Sequence, residues 1–317
     1  MLDNYEENFL NKNKVKSLLN KMEKMNPNSH YMLVGYCRFS YKSGYISYND
    51  YKQPALARAR QYFRQAISIK PNFSDAYLYG AYAHAFSKKY DFAQKLANKA
   101  RQLSPNSARV DILFAHLAKI HKDYAAIIQY AQAAISKEPN NNAILSKAYN
   151  NLSKAYKGLK DYAKADSIYK KIIELDPESA WARINYSSFL TKNLKNYDEA
   201  IEQGKIALEL AEIGMAHKVL GKAYYEKAAQ LHWDEKQYEA SLLYFKHSTE
   251  QYAYDSNAWY GLGITYYQIG YKNRNKSQIK QAEAALKKAL TIDPKHQEAI
   301  ENLKHVEMLL NRLEKSS

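Results

Sequence analysis

The chain has 317 residues, 46% hydrophobic and 25% charged, a balance that excludes whole-chain disorder and lets folding bury about 75% of the surface an unfolded chain exposes. Only 10 Gly and 7 Pro are present, so long Pro/Gly-rich linkers are excluded, and the single Cys37 excludes an internal disulfide and a cysteine-based zinc framework. The formal charge of +15, from 47 Lys and Arg against 32 Asp and Glu, favours acidic partners, although Lys, Asn and the 30 Tyr rise together as a compositional bias would make them do.

In chain order, residues 1–26 read as one helix with Val15, Leu18, Leu19 and Met22 on its inner face. The start, MLDNYEENFLNKNK, has acids where a secretory signal needs a basic and then an apolar region, and no run of about 18 apolar residues occurs anywhere. A cytoplasmic chain without a transmembrane segment is the expectation. GYCRFSY, with Gly35 and Cys37, reads as a packed first helix. The stretch SGYISYNDYKQP reads as a Tyr-rich loop ending at Pro54, the first position of the next helix.

From there a rhythm takes over. Tyr90, Tyr124, Tyr162, Tyr197 and Tyr238 are each followed three residues later by Ala93, Ile127, Ala165, Ala200 and Ser241, and the series extends back to Ala59 and on to Ala282. The steps between these positions are 34, 34, 38, 35, 41 and 41 residues, which a repeated helical hairpin explains. About thirteen residues before each small residue stands a second pattern, in AYLYGAYAHAF, YNNLSKAYKGL, ARINYSSFL, KVLGKAYYEKA and WYGLGITYYQIG. Small residues let paired helices approach while large ones opposite fill the remaining space, and the prolines at 105, 139, 177 and 294 end each second helix. The five repeated tyrosines are therefore expected in the core. Four extra residues before Tyr149 amount to one helical turn. Seven extra before Ser241 are expected to add a turn to each helix of that hairpin, whereas the seven in YQIGYKNRNKSQIKQ, with Gly270, read as a loop. The last stretch, 297–317, reads as a capping helix.

Trp259, Leu262, Gly263 and Tyr266, followed by Ala282, Ala289 and Pro294, resemble the tetratricopeptide repeat (TPR) family, and the likeness extends over about residues 28–296. The resemblance implies an all-α, right-handed α-solenoid of six to seven antiparallel hairpins in a single domain over 1–317. An N-terminal helix over 1–27 and a capping helix over 297–317 would close its ends. It also implies a concave groove lined by first-helix side chains.

No nucleophile elbow, Walker loop or HExxH motif is present, GLG at Gly261–Gly263 falls inside a helix, and His116 and His121, five apart, do not share a helix face. No enzymatic activity, cofactor or metal is expected, and Cys37 reads as a buried, inert thiol. Carried over from the family, the groove positions are Lys147, Asn150, Asn151, Lys154 and Lys157, then Trp181, Asn185 and Ser188, then Lys218, Lys222 and Tyr225. Asn151 and Asn185 stand 34 residues apart at equivalent places, and an amide there can donate to a carbonyl and accept from an N–H of an extended peptide. The lysines would draw carboxylates. Of the residue set that clamps chaperone tails in some family members, Asn185 alone is in place. Tyr36, Tyr82 and Tyr260, and Tyr45, Tyr48 and Tyr51 in the insertion, read as free to meet a ligand. The expected function is a non-catalytic scaffold or adaptor holding an extended acidic protein segment. The alternative is a helical-repeat binder of RNA or single-stranded nucleic acid that uses tyrosine stacking on a basic groove.

Overall fold

The computed structural model describes residues 11–27, 29–43, 45–47 and 50–315. Among them sixteen α-helices account for most of the backbone. Two compact units divide the chain, one ending at Leu175 and the other beginning at Asp176.

The first unit holds α1 (Asn11–Met25), α2 (His30–Ser43), α3 (Gln53–Ile69), α4 (Ser74–Phe86), α5 (Tyr90–Leu103), α6 (Ala108–Ile120), α7 (Tyr124–Lys137), α8 (Asn142–Gly158) and α9 (Tyr162–Leu175). From α2 onward, consecutive helices pair as hairpins, and the inner helices α2, α4, α6 and α8 stack side by side. The second unit repeats the plan with α10 (Ala180–Phe189), α11 (Tyr197–Leu210), α12 (Gly214–Ala229), α13 (Tyr238–Gln251), α14 (Ser256–Lys272), α15 (Lys276–Ile292) and α16 (Gln297–Lys315). There α10, α12, α14 and α16 form the inner row.

The local chemistry explains where helices begin and end. Side chains of Asp123, Asn141, Ser179, Asn196, Asp255 and Asn275 accept hydrogen bonds from the free N–H groups of the first turns of α7, α8, α10, α11, α14 and α15. Pro54 lies in the first turn of α3, and Pro71, Pro105, Pro139, Pro177 and Pro294 follow two residues after the outer helices end. Between helices of a hairpin, Lys88, Lys122, Lys160, Lys195, Lys236 and Arg274 all take the left-handed conformation, with φ from 50° to 60°. At Lys122 the reason is visible. Its N–H donates to Lys119 O while that of Asp123 reaches back to Ala118 O, the paired bonds that close a helix C-terminus. Satisfying those carbonyls offsets the strain of a left-handed non-glycine residue, and a cation suits the negative end of the helix dipole.

Packing follows the small-with-large rule. Ala59, Ala93, Ala165, Ala200, Ser241 and Ala282 are fully buried, and Ile127 nearly so. A Cβ on Gly261 would lie 2.3 Å from Phe245 Cε1, so that buried ring uses the space a side chain would take. Where a serine replaces the alanine, its hydroxyl finds a carbonyl: Ser187 Oγ donates to Ala200 O at 2.6 Å, and Ser248 Oγ to Gly221 O at 2.8 Å. In the first unit, buried Asp111 on α6 joins three helices through Arg101 of α5 and Lys137 of α7, both at 2.7 Å.

Several expectations are corrected. Helix α1 spans Asn11–Met25, and residues 1–10 lie outside the described set. Val15 and Leu19 are buried, but Leu18 and Met22 are 42% and 41% exposed: among the described residues α1 packs chiefly on α2 and covers a single i, i+4 stripe. The insertion is a small antiparallel hairpin, pairing Tyr45 with Tyr51 and Ser47 with Asp50, rather than a plain loop; Tyr48 lies outside the described residues. The residues added before Ser241 do not divide between two helices. They lengthen α12 alone, which continues as a π-helical turn over Gln230–Asp234, while α13 keeps the usual 14 residues. The stretch read as a loop is the one that lengthens both partners: α14 and α15 have 17 residues each. Gly270 sits buried near the end of α14, where a Cβ would meet Gln278 and Ile279 at 3.0 Å, so its bareness admits α15 rather than breaking the helix. A second π-helical turn, Leu190–Leu194, ends α10 and takes up the odd residue in the 35-residue step.

Candidate functional site

The groove candidates sit on inner helices. In the first unit, Lys147, Asn150, Asn151 and Lys154 all lie on α8, with Lys157 one turn further. Asn150 Nδ2 donates to Ser146 O at 2.9 Å one turn back on its own helix, which spends one of its donors. Asn151 is half-buried and its amide has no partner among the described residues. Lys154 lies near His116 of α6, and burial together with Lys119 and Lys154 pushes that imidazole down to about 3, so it is neutral.

In the second unit, α10 presents Trp181, 46% exposed, and Asn185, exposed and unpartnered among the described residues. On α12 the expected pair of free cations is only partly there. Lys222 Nζ lies 2.9 Å from Glu226 Oε1 and 4.1 Å from the centre of the Tyr225 ring, while Lys218 caps the Tyr252 ring at 5.6 Å. A lysine neutralised one turn along its own helix adds less to a positive lining than a count of lysines implies. Burial, then Glu226, Asp255 and Tyr260, raises the Tyr225 hydroxyl to about 12, so it stays a neutral donor. Met215, 45% exposed, escaped the sequence reading, yet it stands 34 residues after Trp181 and could have been found by that spacing.

The tyrosines divide differently from expectation. Tyr90, assigned to the core, is 37% exposed, and Tyr124, Tyr162, Tyr197 and Tyr238 are half-buried. Each opens an outer helix, where one face of the ring meets the hairpin and the other meets water; Tyr124 covers the bare Gly158 at the end of α8. Tyr36 is buried, with its hydroxyl 2.8 Å from Glu23 Oε2 and 2.9 Å from Asn20 Oδ1, so that hydroxyl is not free for a ligand. Tyr82 stacks on Tyr41, and Tyr260 packs on His296. Cys37 is buried in α2, and burial drives its thiol pKa upward, which leaves an inert thiol. No group of His, Cys, Asp and Glu able to hold a metal occurs among the described residues. Nor is any helix there long and apolar enough to cross a membrane.

Stacked hairpins with small residues at the crossings and an inner row of polar faces define a helical-repeat interaction protein. A tetratricopeptide-repeat profile matches residues 146–179 and 256–296, so the chain carries TPR repeats. Among solved structures, the C-terminal part of a TPR repeat-containing protein from Cytophaga hutchinsonii is 19% identical with a TM-score of 0.61, covering 85% of this chain and 99% of that one. The APC/C hetero-tetramer Cut9-Hcn1 is 17% identical at a TM-score of 0.52, covering 92% of this chain, which spans only 51% of the Cut9-Hcn1 chain it matches. Pseudomonas aeruginosa PilF is 15% identical at a TM-score of 0.51, over 71% of this chain and 94% of its own. Likeness at these identities is one of fold. No curated protein matches the sequence.

Proposed function

We propose that the chain is a non-catalytic scaffold that grips an extended segment of a partner protein on the inner helices of its hairpins. The TPR fold supports a protein-interaction role in general, and TPR-repeat proteins are typically non-catalytic. The observation that carries the finer reading is an unpaired asparagine on an inner helix of each unit, Asn151 in the first and Asn185 in the second. They occupy equivalent repeat positions, and both keep donor and acceptor unspent among the described residues. An unpaired amide on an inner helix satisfies a peptide backbone without reading its sequence, and the exposed Trp181 and Met215 supply apolar contact beside Asn185. Lys218 favours an acidic segment, with Lys222 contributing less because of Glu226, and Lys147 and Lys154 already make contacts of their own.

The test is a cross-linked pull-down from the native cell with wild type and with Asn151→Ala/Asn185→Ala, both first checked for equal thermal melting. The double variant should fold normally and lose the partners that wild type retains. Equal recovery of the same partners would refute the assignment, and loss of all partners on nuclease treatment would replace it with a nucleic-acid reading.

A further inference from the structure

The charge of this chain is not evenly spread. Residues 11–70 contain twelve Lys and Arg against two acids, a net +10, whereas residues 71–317 carry only +8. Three of those twelve cations, Lys16, Lys52 and Arg58, line an open cleft of about 730 Å³ between α1, α2 and α3, together with Tyr36, Phe39 and Tyr62. The volume lies within the range of about 300–1,000 Å³ that holds a ligand or a few side chains.

Charge balance within the cleft is one-sided. Lys16, Lys52 and Arg58 are exposed, and none has an ionic partner among the described residues. No acidic residue lines the cleft among the described residues. Glu23, the one carboxylate on α1 in that set, faces the Tyr36 hydroxyl at 2.8 Å. Among the described residues these three cations around one concavity have no counter-charge, and an anionic occupant relieves their mutual repulsion.

The aromatic wall narrows what that occupant is. Tyr36 and Tyr62 stack on each other, with centroids 5.1 Å apart and planes 19° from parallel, and Tyr36 is only 8% exposed. Stacking covers one face of each ring, and Tyr36 is buried besides, so the pair forms a partly covered wall that suits packing of an apolar or aromatic side chain. Single-stranded nucleic acid needs an open ring face on which a base can stack.

We infer that the α1–α3 cleft is a second docking site, for an acidic peptide segment of a partner protein that carries an apolar or aromatic anchor. The anchor enters between Phe39 and the Tyr36–Tyr62 wall, and flanking carboxylates pair with Lys16, Lys52 and Arg58. This site shares the inner helix α2 but uses neither Asn151 nor Asn185, and it does not depend on them.

The probe is a fluorescein-labelled peptide of glutamates with one central phenylalanine, followed by anisotropy against the full chain. Lys16→Glu/Arg58→Glu changes two exposed side chains, so unchanged circular dichroism is expected, with affinity at least about tenfold weaker through two lost pairs and the reversed charges. Replacing the peptide phenylalanine by alanine should also weaken binding. Asn151→Ala/Asn185→Ala should bind this probe as wild type does. Wild-type affinity in the Lys16/Arg58 variant would overturn the inference, as would equal affinity for a glutamine version of the peptide. Tighter, Lys16/Arg58-dependent binding of oligo-uridylate would overturn it in favour of nucleic acid. Loss of the probe in the asparagine variant alone would move the acidic site to the inner helices.

Discussion

Gly261→Ala measures how tightly neighbouring hairpins are packed. Two effects oppose each other. Alanine in a helix interior is worth about 1 kcal/mol over glycine, which by itself stabilises. The new Cβ, however, would lie 2.3 Å from Phe245 Cε1 and 2.4 Å from Cζ. Phe245 is fully buried, with Tyr225, His232 and Trp233 set edge-on around it at 5.7–6.2 Å, so its ring has nowhere to retreat. Forcing an extra carbon into such a site costs about 1–3 kcal/mol. The steric cost wins, and the net loss is up to about 2 kcal/mol, or several degrees of Tm. Thermal melting read by circular dichroism checks the size, and hydrogen exchange over α13 and α14 checks the place. Gly214→Ala is the control, since nothing lies within 4 Å of its Cβ position, and it should cost nothing. Phe245→Leu removes the ring edge, so the double variant Gly261→Ala/Phe245→Leu should be more stable than the two single losses summed. Simple additivity, or a Gly261→Ala protein that melts at or above wild type, would refute the close crossing of α13 and α14.

Ala165→Arg places a charge where α9 crosses α8 with no exposed surface, at a cost of several kcal/mol, and an unchanged Tm would show the repeat register to be wrong. His232 gives the chain an acid sensitivity. It is 4% exposed, its Nδ1 lies 2.8 Å from Thr265 Oγ1, and burial lowers its pKa from 6.5 to about 4. The unfolded imidazole takes a proton near its ordinary pKa while the folded one resists it, so this stability is complete above about pH 6.5 and is lost as pH falls towards 4. At about 1.4 kcal/mol per pKa unit the loss approaches about 3 kcal/mol. His232→Gln should flatten that part of the pH–stability curve measured by urea denaturation, and an unchanged curve would show that the imidazole is not held neutral.

What could be read in the residues was whatever the hairpin imposes at a fixed place. A small residue must stand at each crossing, because two backbones approach only there, so Ala59 to Ala282 announce the repeat and their burial follows. Features set by hydrogen bonds or by third parties were not legible. A π-helical turn such as Leu190–Leu194 shifts the bonding pattern by one residue and leaves the apolar sequence looking like any helix end. Six basic residues with positive φ defeat propensity because the turn is dictated by the carbonyls it must satisfy, and a lysine carries no mark of that duty. Gly270 carried two meanings, helix break or close approach, and only the position of α15 decides between them. The candidate site divides along the same line. The 34-residue spacing of Asn151 and Asn185 is a property of the repeat and is visible in the residues, whereas Glu226 beside Lys222 and Ser146 beneath Asn150 depend on rotamers within one helix. The α1–α3 cleft is the extreme case. Its cations come from α1, the start of α3 and the residue before it, and its wall comes from the Tyr36–Tyr62 stack across two helices, so no single window of sequence contains it. Only the running charge, +10 within residues 11–70, points there from sequence, and it locates the excess without saying what shape the cations surround.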